Sequence, residues 1–295
     1  MRRILISCLI ALVSLPGIAA EPIEKVDETQ NLVSNLNVPY VPTKLDGQVD
    51  NRQTLDIYRP ADVKKAPIIL YIHGGGWAFG DKQDVNLKPQ FFVSKGIAFV
   101  SMNYRLRWDY KIYDQLVDIV TVLKWLAVNG EKYALDSSRI ILMGHAAGGH
   151  LASLIATDSS YLRAENMKGQ NIKAVISIDS NSYDIPRLMR ELGSFVERRQ
   201  HELVFTRDES VWKAASPITH VDKSTTLTSF ALMYEPNSDA SSLQAKSFAR
   251  ALSQAGADVI MIPGAADAPG EIDEQIGKSG HVPTIALMAF IRSQL

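Results

Sequence analysis

Residues 144–148 read Gly144-His145-Ala146-Ala147-Gly148, after an apolar run at 139–143 and before the helix-forming stretch Gly149-His150-Leu151-Ala152-Ser153-Leu154-Ile155. A strand that turns sharply into a helix through G-x-S-x-G is a nucleophile elbow, in which glycines tolerate the crowded backbone and the serine hydroxyl stands exposed above a sheet. Here Ala146 occupies the serine position. A methyl group cannot attack a carbonyl. A second set of residues belongs to the same chemistry: His73-Gly74-Gly75-Gly76-Trp77 follows the apolar run 66–72. Glycines there let backbone N–H groups approach a developing oxyanion, and a further N–H comes from the residue after the nucleophile. Gly74, Gly75, Gly76 and Ala147 are therefore the expected oxyanion-binding positions. Three glycines alone would be explained equally well by a flexible turn. Their order and context relative to 144–148 carry the chemical reading.

The elements that must position these loops alternate along the chain. Short apolar or alternating runs at 54–58, 66–72, 97–102, 139–143, 172–178, 228–234 and 258–262 predict strands. Helical spacing covers 113–128, with Leu116, Ile119, Val120, Leu123 and Leu126 on one face, and also 243–255 and 284–295, the last behind Pro283. Strands separated by helices predict the α/β class, a mostly parallel sheet covered on both faces. Functional loops of such a sheet gather at the carboxyl ends of its strands.

The first 20 residues read as a cleavable leader: Met1-Arg2-Arg3, an apolar run over 4–15, then Pro16-Gly17 and the small residues Ala19-Ala20. The run is shorter than the roughly 20 residues a membrane-spanning helix needs, and too little apolar sequence precedes Cys8 for a lipoprotein site. A secreted or periplasmic location is expected. Cys8 is the only cysteine, so the mature chain has no disulfide. Removing Arg2 and Arg3 leaves 29 basic against 32 acidic side chains, a balance that suggests no nucleic-acid partner. Residues 21–38 are polar and predict a loose N-terminal arm, leaving 39–295 as one domain. No phosphate loop or metal-ligand spacing stands out, and no cofactor is expected.

His73 to Trp77, Asn103-Tyr104-Arg105-Leu106, Asp136-Ser137-Ser138-Arg139-Ile140, 144–151, Ser216-Pro217 and 252–263 together make the chain similar to secreted members of the α/β-hydrolase fold. The resemblance is to the esterase/lipase group carrying HGGG, near its feruloyl-esterase-like and kynurenine-formamidase-like branch. It implies a small helical cap insertion, here at about 183–211, over the pocket. It also implies a triad, whose nucleophile position is Ala146. The acid would follow the strand at 228–234, with Asp239 the candidate, although an aspartate before a helix is equally a normal N-cap. The family's histidine position falls on Pro269, which has no protonatable group. His281, twelve residues on, is a weaker alternative base. His73, His145 and His150 correspond to scaffold positions, and His201 and His220 lie in no motif.

Loss of both serine and histidine goes beyond the single change that would trap a substrate complex. Such losses cost on the order of 10⁴ to 10⁶ in turnover. Three classes of function follow. The favoured one is a catalytically inactive relative whose pocket binds a small ester-, amide- or acid-like ligand. The second is a hydrolase using water or another group such as Ser180, Ser182 or Asp184, and the third a partner-binding protein with a vestigial pocket. Arg187, Arg190, Arg198 and Arg199 in the cap segment could orient an acidic ligand, but a solvated charged face explains them more simply.

Overall fold

The computed structural model describes residues 23–42, 50–222, 228–264 and 272–295. The expected leader and Pro269 lie outside the described residues. Among those described, strands β1 (Ile23–Asp27), β2 (Leu32–Pro39), β3 (Thr54–Pro60), β4 (Ala66–Ile72), β5 (Ala98–Met102), β6 (Leu135–His145), β7 (Ile172–Ile178), β8 (Ser229–Tyr234) and β9 (Val259–Pro263) form one sheet. Its order is β1-β2-β3-β5-β4-β6-β7-β8-β9. The pairs from β5 to β9 are parallel, and β1, β2 and β3 add an antiparallel edge. The helices among the described residues are α1 (Lys88–Val93), α2 (Ile112–Asn129), α3 (Ala147–Thr157), α4 (Ser160–Ala164), α5 (Ile185–Glu191), α6 (Phe195–Phe205), α7 (Glu209–Ala214), α8 (Asp239–Gln254) and α9 (Val282–Gln294). The expected α/β class is the observed one.

Strand periodicity divides the core into two layers. Ile68, Leu70 and Ile72 of β4 point into one cluster with Leu116 and Leu123 of α2, Leu151 of α3 and Phe248 of α8. Ile69 and Tyr71 point to the other side, against Phe92 of α1 and Leu287 and Ile291 of α9. Every residue of β4 is buried, which explains its continuous apolar sequence where a one-sided strand would alternate. The chain leaves β4 for β5 on one side and returns to β6 on the other. That reversal opens a crevice at the carboxyl ends of β4 and β6, where the glycine run and the elbow emerge.

The expected loose arm is instead ordered as β1 and β2. Composition misled because the polar residues of β2 find partners in the sheet. Asn35 donates to Glu24 (3.0 Å), and Asn37 accepts from the Lys82 ammonium (2.7 Å) and donates its backbone N–H to Asp56 (2.7 Å). Asn37 has φ 57° at a register shift between Asn35 and Val38, a bulge conformation that asparagine tolerates. Lys82 closes the cluster with an ion pair to Asp56 at 2.9 Å.

A second buried pair anchors the segment that follows β9. Lys88 of α1 lies 2.8 Å from Asp273, and the Tyr71 hydroxyl donates to the same carboxylate at 3.2 Å. Both charges sit under the sheet with little access to water, so removing one leaves the other buried and uncompensated. Lys88→Met should lower unfolding free energy by about 3–5 kcal/mol in urea titrations, and adding Asp273→Leu should recover most of the loss. A single variant as stable as the parent would show that the pair does not anchor this segment.

Candidate functional site

β6 ends at His145, α3 begins at Ala147, and Ala146 between them has φ 47° and ψ −110°. A non-glycine residue in such a region costs of order 1–3 kcal/mol and persists only when its surroundings impose it. They do so here. The Ala146 N–H donates to the Ile178 carbonyl (2.8 Å), and its carbonyl accepts from His150 N–H (3.0 Å). A Cβ on Gly148 would collide with the Ile72 carbonyl oxygen, and one on Gly144 with the Gly148 carbonyl. The elbow geometry is therefore complete without its hydroxyl.

The glycine run lies against this apex: a Cβ on Gly74 would stand 3.6 Å from that of Ala146. Gly75 and Gly76 have φ 104° and 58°, and the Gly75 carbonyl accepts from Ala78 and Phe79 N–H at 3.1 and 2.9 Å. Among the described residues, the N–H groups of Gly75, Gly76 and Ala147 donate to no other protein group. They border a cavity of about 330 Å³ together with Ala146, Trp77, Phe79 and Val204, and with the polar side chains of Arg107, Asn181, Gln200 and His201. Gly74 supports the loop from beside the cavity.

Two histidines hold this loop in place. His73 donates from Nδ1 to the Gly74 carbonyl (2.7 Å) and stacks on Tyr104 at 4.3 Å. His150 is fully buried: its Nε2–H donates to the Ala215 carbonyl (2.7 Å), and its Nδ1 accepts from the Trp77 indole (3.3 Å). Those partners assign a neutral ring with both nitrogens engaged, so His150 is a structural pin and not a base. The Trp77 carbonyl accepts from the Gln115 side chain (2.8 Å) and from Arg107 N–H (2.9 Å). One tryptophan thus links the glycine run, α2, α3 and the loop after β5.

Asp239 and His281 are not among the residues that line this cavity. Asp239 is exposed on the first turn of α8, and Ser238 is the N-cap. The carboxylate at the end of β8 is Glu235, which is buried; a Cβ on Gly264, just after β9, would lie 3.1 Å from both of its oxygens. His281 is the N-cap residue of α9, with Nδ1 2.7 Å from the Thr284 hydroxyl. It lines a separate cavity with Met261, Pro263 and Gly264. Ser180 and Ser182 are buried, and Asp184 caps α5 by accepting from Arg187 N–H (3.0 Å). The residue of that loop lining the cavity is Asn181.

His201, which no sequence motif marked, is brought to the cavity by α6. Its Nδ1–H donates to the Glu197 carbonyl (2.8 Å), and its ring lies 6.1 Å from that of Trp77. Among the cap-segment arginines, Arg187 and Arg199 pair with Glu191 (2.7 Å) and Glu202 (3.2 Å). Among the described residues, no group of three or more His, Cys, Asp or Glu could hold a metal ion, and no helix is long and apolar enough to cross a membrane.

The parallel sheet, elbow and glycine run define an esterase/lipase-like α/β-hydrolase. The chain belongs to the BD-FAE family, whose profile matches residues 55–245. Esterase LipC of Mycobacterium tuberculosis is 29% identical over 187 residues, 59% of this chain and 46% of that protein. Arylacetamide deacetylase of Bos taurus is 30% identical over 173 residues, 52% of this chain and 41% of that protein. The chain therefore spans less than half the length of these relatives. Esterase B from Lactobacillus rhamnosis superposes with a TM-score of 0.74 at 21% identity, covering 92% of this chain and 89% of that one. A carbohydrate esterase from gut microbiota superposes at 0.65 and 22% identity, covering 88% and 95%. These structural likenesses establish the fold.

Burial pushes the His150 imidazole down from 6.5 to about 4. The folded state therefore holds it neutral where the unfolded chain takes up a proton. Its contribution is fully present above about pH 6.5 and is lost as pH falls toward about 4, up to about 3 kcal/mol. Burial lowers His73 in the same direction. Urea midpoints measured across this window should fall with acid, and the fall should be shallower in His150→Asn. An unchanged slope in that variant would rule out the assignment.

Proposed function

We propose that this chain has lost serine-hydrolase chemistry and uses the surviving pocket to bind a small ester-, amide- or acid-like ligand outside the cytoplasm. One observation carries this reading. Ala146 stands at the strained apex of the elbow, without a nucleophilic atom, beside N–H donors and a cavity that are all retained. An oxyanion hole stabilises charge developed by attack, and a methyl group delivers none. Its donors still suit a carbonyl or carboxylate oxygen in a bound ligand. The open cavity favours ligand binding over a purely structural role, because a vestigial pocket would be filled by side chains. The leader expected from residues 1–20 supports export to the periplasm or the exterior.

The test compares hydrolysis of para-nitrophenyl butyrate by the natural chain, Ala146→Ser and Ala146→Ser with Pro269→His. The natural chain should stay within about 10³ to 10⁴ of the uncatalysed rate, and the double variant should exceed it by at least tenfold. Turnover of about 1 s⁻¹ or more by the natural chain, in the ordinary enzymatic range, would overturn the proposal. Loss of that turnover in His201→Ala would then identify a water activated at the cavity's imidazole.

A further inference from the structure

We infer that the ligand of this cavity is a small monocarboxylate with an apolar body, and that Arg107 is its specificity determinant. The inference rests on the ligand-binding reading above and goes further by fixing the ligand's charge. The polar side chains around the cavity are Arg107, Asn181, Gln200 and His201. All can donate hydrogen bonds, and among the described residues no aspartate or glutamate lines the space. The backbone adds N–H groups of Gly75, Gly76 and Ala147, the last at the first turn of an eleven-residue helix whose N-terminus carries partial positive charge.

Arg107 differs from its neighbour two residues earlier. Arg105 is saturated, lying 2.9 Å from Asp118 and 3.7 Å from Asp114. Arg107 has no carboxylate within 4.0 Å among the described residues; its guanidinium packs over the Trp108 ring at 4.3 Å. Its backbone N–H donates to Trp77 (2.9 Å), so it moves with the glycine loop. A half-buried cation facing a site whose described lining has no counter-ion is matched by an anionic ligand, and a guanidinium suits a carboxylate because both are planar and can pair through two hydrogen bonds.

Substitution at the elbow favours the same chemistry. The oxyanion donors of an active hydrolase meet full negative charge only after attack, whereas an ionised acid presents that charge on arrival. Ala146 offers neither a nucleophile nor a hydroxyl lone pair against it. Trp77, Phe79 and Val204 supply apolar wall, and about 330 Å³ is at the small end of ligand pockets, which run from about 300 to 1,000 Å³. A neutral ester of the same shape would leave the Arg107 charge unmatched.

Calorimetric titration of the full chain with matched acids and primary amides decides the matter: butyrate with butyramide, benzoate with benzamide, phenylacetate with phenylacetamide. At least one acid should bind about tenfold to a hundredfold more tightly than its amide. Arg107→Gln should bring that ratio close to one with an unchanged melting temperature, and Arg107→Lys should restore part of it. Amides that bind as well as acids, or a preference that survives Arg107→Gln, would overturn this inference and leave the ligand-binding reading standing. No binding by any pair, with the protein folded, would overturn both.

Discussion

The site depends on how closely the first turn of α3 approaches the end of β4. Gly148 packs so tightly on the Ile72 carbonyl that no side chain fits between them, and Gly144 is held as tightly against Gly148. This contact forces the turn at Ala146 into its positive-φ conformation and sets the elbow beside Gly74. A bulkier residue at either glycine would separate the two loops, and the converging N–H groups would no longer border one cavity. Backbone packing thus builds the donor site before any catalytic side chain is considered.

That origin explains why the donor geometry does not require a serine at position 146. The oxyanion donors are main-chain groups, held by Trp77, His73 and His150 through contacts in which Ala146 Cβ takes no part. Loss of a serine hydroxyl therefore leaves the donors aligned. The strain at Ala146, a feature that positions a nucleophile in working enzymes, remains because the surrounding hydrogen bonds and glycine contacts impose it.

Local patterns revealed most of the sheet. β4 and β6 were legible as apolar runs ending in glycine, and α2 from its 3.6-residue periodicity. β1 and β2 were not, since the asparagines of β2 read as solvated until Glu24, Asp56 and Lys82 pair with them across the sheet edge. The burial of the carboxylates after β8 was not legible for a related reason. Asp239 has the composition of a cap, but burial after a strand is a property of Glu235 that depends on how β9 and Gly264 pack against it. His201 and Arg107 sit in no motif, and their shared cavity arises from the folding of α6 and of the loop after β5 over the same crevice.

The amino-acid sequence by itself determined that alanine stands at the apex of the elbow, that glycines flank it and follow the strand at 66–72, and that strands and helices alternate as a parallel sheet requires. These are local properties: side-chain chemistry, conformational freedom and periodicity act within a few residues. Only the tertiary structure decided which carboxylate is buried, which histidine is a neutral pin, and which arginine borders the cavity without an acidic partner. Burial and charge pairing are sums over neighbours distant in the chain, and no stretch of sequence contains them.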